Sequence, residues 1–134
     1  MNAAHDAPSI YHCDTGEFLA TGGADVPIGI DPEWAYTEHA LVLPPGRSIV
    51  AIGTDGIWET ERAPGKPFGR ARFHDLIRAG AERSAADICS SIMDAVAEYR
   101  GPGPTADDVT LVVVRFTVGA PVAAKGTAWA NPWS

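Results

Sequence analysis

The chain has little that would staple it, anchor it or make it basic. Its two cysteines, Cys13 and Cys89, lie far apart and outside any CxxC pattern, so neither a zinc knuckle nor a disulfide framework is indicated. A reduced, cytoplasmic setting is the expectation. No window approaches the roughly 18 apolar residues of a membrane-spanning helix. The opening "MNAAHDAP" carries neither the basic nor the apolar region of a signal peptide, so a soluble intracellular chain is expected. Basic residues are scarce as well: ten against seventeen acidic ones, for a net charge of −7. That balance repels phosphate backbones and anionic bilayers, and it argues against nucleic acid and membranes as partners.

What is present suits one domain of ordinary core size, with 134 residues of which 46% are hydrophobic. "PSIYHCDTGEFLATGG" reads as two strands around the turn Asp14-Thr15-Gly16, the start of an antiparallel sheet. "GGADVPIGIDPE" holds too many Gly and Pro residues for either element, and "WAYTEHALVL" then restores period-two alternation, a further strand candidate. After the tight turn "PPGR", Ser48 to Gly53 is an apolar, β-branched run short enough to be a buried strand. "RAPGKPFGR" reads as loop.

Two helices follow. Phe73, Leu76 and Ile77 recur at helical spacing, with Gly80 as the stop. Ser84 is placed to cap the second helix with Asp87 three residues on, and Ile88, Ile92, Met93, Val96 and Tyr99 make one apolar stripe ending near Arg100. "GPGPTADD" forbids regular structure, and "VTLVVVRFTV" is the strongest strand of the chain. From residue 119 to 134, Ala, Gly and Pro without periodicity suggest a flexible or peripheral tail, whose Trp129 and Trp133 are able to dock on the body or on a neighbour. The fold class is therefore α+β, with antiparallel strands and two helices between Phe68 and Arg100.

The chemistry concentrates in two acidic pairings. Asp55-Gly56 alone is a common turn dipeptide, and Asp107-Asp108 alone is a solvated turn or cap. Each, however, sits at the edge of a strongly apolar strand, where a rigid backbone can hold a carboxylate in place. Converging hard oxygen donors without accompanying His or Cys favour Mg²⁺ or Mn²⁺ over Zn²⁺. Water bound to such a cation is a nucleophile at neutral pH, so phosphoester hydrolysis is a candidate reaction. The other polar and aromatic residues carry less. His5 has no second His at metal-binding spacing, and His12, His39 and His74 read as surface or strand-face residues. Trp34 and Trp58 read as core or cleft walls, and Arg70 and Arg72 as exposed arginines near a helix start, within reach of a substrate phosphate.

Taken in order, "NAAHDAPSIY", "GGADVPIGI", "PPGRSIVAIGTDGIWE", "FGRARFHDLI" and "TADDVTLVVVRF" resemble the successive blocks of the metal-dependent serine/threonine phosphatase family (PPM), in its bacterial SpoIIE-like branch. The resemblance runs from Asn2 to about Phe116. It implies the back portion of an α-β-β-α sandwich of two antiparallel sheets, as a partial domain over residues 1–118. It also implies a two-metal Mn or Mg centre, with Asp55 and Asp107 as ligands and Asp108 beside them where relatives carry Asp or Asn. Thr54, Gly56 and Thr110 would be the backbone and supporting neighbours of those ligands. Substrates of that branch are phosphoserine or phosphothreonine proteins, often antagonists of anti-sigma factors. The Gly-rich aspartate motif that completes the family's metal centre lies upstream of the "NAGH" block, which appears here as "NAAH" with Ala4 for Gly, and that motif is absent from these residues. The expectation is a chain inactive alone that associates with itself or with a chain supplying the missing part. A non-catalytic remnant serving as a protein-binding module, and a plain cation-binding domain, are the alternatives.

Overall fold

The computed structural model describes residues 3–102 and 107–119. The first strands are β1 (Ser9–His12) and β2 (Glu17–Leu19), joined by the Asp14-Thr15-Gly16 turn, where Gly16 takes φ 75° and donates its N–H to the carbonyl of His12 at 2.9 Å. A left-handed φ of this kind is what glycine supplies without steric cost. β3 (Gly46–Gly53) pairs antiparallel with β1, and β6 (Leu111–Val118) pairs antiparallel with β3 along its whole length, from Gly46 opposite Val118 to Gly53 opposite Leu111. The resulting sheet has the order β2-β1-β3-β6.

Between β3 and β6 the chain forms a short hairpin of β4 (Glu61–Ala63) and β5 (Lys66–Pro67), then α1 (Arg70–Ala79) and α2 (Ala85–Arg100). Both helices lie where the apolar spacing places them. Phe73 and Ile77 of α1, and Ile88, Ile92 and Val96 of α2, are the buried residues of these helices. The Ser84 Oγ accepts the Asp87 N–H at 3.1 Å and donates to the Asp87 carboxylate at 2.7 Å. One orphan helix donor is thereby satisfied, and the hydrogen bonds hold the Asp87 carboxyl below its ordinary range. Gly80 ends α1 and is required by space: a Cβ there would stand 2.6 Å from Ile88 Cγ1, in the contact that lets α2 turn back closely.

The helices cover one face of the sheet. Tyr11, Ile49 and Ala51 pack there with Ile57, Trp58, Phe68 and the helix residues in one buried cluster. Each fully buried Ile or Phe of that cluster contributes about 1.5–3 kcal/mol. Arg115 of β6 donates to the Ala81 carbonyl at 2.9 Å, tying the α1–α2 connection to the sheet edge. Tyr99 of α2 donates to the carbonyls of Lys66 and Pro67 and meets Phe68 edge-on, so the hairpin is fastened to the same layer.

Two expectations differ. Trp34 to Leu43 forms no strand, although its residues alternate. Within it the Thr37 N–H and the Trp34 indole N–H donate to the Asp25 carboxylate instead, and Trp34 is exposed rather than a wall. Alternation makes a strand only where a partner strand stands alongside. Conversely "RAPGKPFGR", read as loop, contains β4 and β5, because Gly65 at φ 72° closes a tight turn and Pro67 sits at an exposed strand end that needs no N–H donor. The tail residues 120–134, with Trp129 and Trp133, lie outside the described residues.

Candidate functional site

Because β3 and β6 are antiparallel neighbours, the loop that leaves β3 and the loop that enters β6 fall at the same end of the sheet. Their contact is specific. Thr54 N–H donates to the Thr110 carbonyl at 3.1 Å, and the Thr54 hydroxyl accepts the Thr110 N–H at 3.0 Å while donating to the Asp108 carbonyl at 3.1 Å. One threonine therefore laces the Asp55 loop to the Asp107–Asp108 loop. Thr110 takes part through its main chain.

Gly56 lets the two loops touch. A Cβ at that position would stand 2.5 Å from the Asp108 carbonyl oxygen. The turn itself is stiff: Glu59 N–H donates to the Asp55 carbonyl at 2.8 Å, and the buried Thr60 hydroxyl donates to the Gly56 carbonyl at 2.6 Å. Ile57 and Trp58, 0% and 7% exposed, anchor it in the core directly behind Asp55. Asp55 itself is exposed, as are Asp107 and Asp108, and Asp107 Oδ1 accepts the Asp108 N–H at 2.7 Å. Carboxylates on stiff supports, open to water, are by kind what a hard divalent cation takes. Among the described residues, however, no three His, Cys, Asp or Glu side chains gather in one place, fewer than a two-metal centre shares.

The remaining candidates go elsewhere. Arg70 lies over the Trp58 ring at 3.9 Å and pairs with Asp6 at 2.5 Å. Arg72 lies over Tyr99 and donates to the Phe68 carbonyl at 2.6 Å. His12 is buried, with Nδ1 accepting from Thr15 N–H and Nε2 against the Pro45 carbonyl at 3.0 Å. His74 is hydrogen-bonded to Ser9 Oγ at 2.9 Å and stacked on Phe18, and burial, then the Arg70 and Arg78 charges, push it below its ordinary value. Arg70 thus backs the tryptophan that anchors the Asp55 turn, and Arg72, His12 and His74 brace other parts of the fold.

Reasoning from sequence missed a cavity of about 590 Å³ beside the loops, lined by Gly56, Asp107, Glu59, Glu61, Thr60 and Arg100 among others. Residues from a turn, a hairpin, a helix end and a second loop make it, and no spacing along the chain announces such a gathering.

The family model for stage II sporulation protein E (SpoIIE) matches residues 1–117. Among solved structures, the SiaA PP2C domain of Pseudomonas aeruginosa is similar with a TM-score of 0.65 and 29% identity, over 81% of this chain and 43% of that one. The chain thus spans less than half the length of that structure. No curated protein matches it.

Proposed function

The chain belongs to the SpoIIE family of PPM-type phosphatases, and from that membership we propose that it is part of a protein serine/threonine phosphatase acting on phosphoserine or phosphothreonine of a regulatory protein, such as an antagonist of an anti-sigma factor. The observation that supports this reading most is the lacing of the Asp55 loop to the Asp107–Asp108 loop through Thr54. Asp55, Asp107 and Asp108 would supply carboxylate ligands to Mg²⁺ or Mn²⁺, with Thr54, Gly56 and Thr110 fixing the two loops against each other. The cation, when bound, supplies an activated water and shields phosphoryl charge.

The donor set among the described residues is short of a two-metal centre, so the reading includes inactivity of these residues alone. Part of the sheet face opposite the helices is open as well: Ile52, Val112 and Val114 are half exposed, while Ile10, His12 and Ser48 of the same face are buried. Self-association through this face is its simplest cover, since one surface then supplies both halves of the contact. The setting we propose is cytoplasmic; among the described residues no helix is long and apolar enough to cross a membrane.

Calorimetric titration with Mn²⁺ tests the ligand assignment. Weak binding to the parent that Asp55→Asn removes is the expected result, and equal binding by both proteins would overturn it. A phosphopeptide assay with Mn²⁺ tests the inactivity: turnover by this chain that Asp55→Asn abolishes would refute it. The shortage of donors equally favours a second reading, a non-catalytic module that binds protein partners. That reading fails if Asp55-dependent turnover is seen.

A further inference from the structure

Among the described residues that line the cavity beside the acidic loops, one cation stands among three carboxylates, Arg100 with Glu59, Glu61 and Asp107. Among the described residues no ion pair includes Arg100, and its Nε, without a hydrogen-bond partner, is shielded from solvent, which leaves the two terminal nitrogens of the guanidinium for a ligand. Two of the carboxylates are turned to nearby backbone instead. Glu61 Oε1 accepts the Gly65 N–H at 3.0 Å, and Asp107 Oδ1 accepts the Asp108 N–H at 2.7 Å. Arg100 stands at the end of α2, a helix whose apolar stripe is buried, so its backbone is fixed by the core rather than by the cavity.

The terminal nitrogens of a guanidinium match the tetrahedral oxygens of a phosphate monoester, which they can hold through two parallel N–H bonds. A bare phosphate dianion would meet Glu59, Glu61 and Asp107 at the same time and be repelled by them. A phosphorylated side chain next to lysine or arginine satisfies both signs at once. We infer that this cavity recognises a phosphorylated residue with basic neighbours, Arg100 holding the phosphoryl group and Glu59 and Glu61 the flanking cations. The inference rests on the phosphatase reading and adds to it the sequence around the phosphorylated residue, which that reading leaves open. The cavity shares Gly56 and Asp107 with the laced loops, so a phosphoryl group bound here lies beside the carboxylates assigned to the metal.

The test is binding of fluorescent peptides to the full chain by anisotropy, without added metal. Three peptides suffice: phosphoserine flanked by lysine, the same sequence unphosphorylated, and phosphoserine flanked by glutamate. The first should bind about tenfold tighter than either of the others, the scale of one charge-assisted hydrogen-bonded contact. Arg100→Gln should erase the preference for phosphate, and Glu59→Gln with Glu61→Gln should erase the preference for lysine while keeping that for phosphate. Should Arg100→Gln lower the melting temperature, Arg100→Lys keeps the charge without the fork and should lose at least half of the phosphate preference on a folded protein. Equal binding of all three peptides by the parent, or an unchanged phosphate preference in the Arg100 variants, overturns the assignment. The Mn²⁺ titration of Asp55→Asn reads the phosphatase assignment separately, so loss of one result does not imply loss of the other.

Discussion

The two faces of the sheet are made by alternate residues of the same strands, and where the end of β3 meets β6 they have opposite surroundings, although towards β1 the outer face too is covered at Ile10, His12 and Ser48. Ile49 and Ala51 of β3 are 0% and 1% exposed beneath the helices, while Ile52, the next residue along, is 40% exposed beside Val112 and Val114 of β6 at 49% and 45%. An antiparallel sheet with one wet face ordinarily alternates apolar with polar residues. β6 reads Leu-Val-Val-Val from its start, apolar on both sides, as a strand does when covered twice. The difference between the faces is therefore one of cover and not of composition.

The covered face should be where stability is lost. Phe73→Ala empties a site 1% exposed, against Trp58 and His74, and should cost about 3–5 kcal/mol in urea unfolding. A loss below about 1 kcal/mol would mean that the helices do not form the structural side of the sheet. Gly56→Ala probes the sheet end between the faces. Its Cβ would enter the space of the Asp108 carbonyl, so overpacking should cost about 1–3 kcal/mol and weaken Mn²⁺ binding in the same protein. Full stability with unchanged Mn²⁺ binding would separate the two loops and remove the main support for a shared cation site.

The covered side was also the legible one. The stripe from Ile88 to Tyr99, the Ser84 cap and the apolar run ending at Gly53 each depend on neighbours within a turn or a strand, and that information is local. Asp55 and the Asp107–Asp108 pair could be singled out because each stands at the edge of such a run. What joins them is a threonine hydroxyl and a missing Cβ, and only the pairing of β3 with β6 brings these together. The alternation from Trp34 to Leu43 misled because period two records a face, not the partner that would pair with it. The Arg100 cavity was illegible for the same reason: its walls come from four separate segments.

Acid should weaken the covered side by a smaller amount. His74 packs between Phe18 and Phe73, with Ser9 on its ring nitrogen and Arg70, Arg78 and Asp75 nearby. Burial, the larger cause, and the two arginines hold it below the ordinary 6.5. The folded protein therefore keeps the ring neutral at a pH where the unfolded chain takes up a proton. The contribution to stability is present above pH 6.5 and is lost as the pH falls through that value towards the depressed one in the fold. The melting temperature of the parent should fall over this window, and His74→Gln should flatten that fall. A parallel decline in both proteins would assign the acid sensitivity to other groups.

The smallest effect on stability belongs to the open face, and there the comparison is most exposed to failure. Val112 already shows about half its surface to solvent, opposite the similarly exposed Ile52. A lysine at 112 can extend its stem along the strand and place its charge in water, so Val112→Lys should change unfolding free energy by no more than about 0.5 kcal/mol. Its effect should appear instead in light scattering at high concentration. The parent should show a mass that rises above the monomer with concentration, because an apolar face left open seeks a partner, and Val112→Lys should hold it near the monomer. A parent that stays monomeric would defeat self-association through this face. A variant that unfolds would show that Val112 is buried by this same chain, and the two faces would then differ less than their exposure indicates.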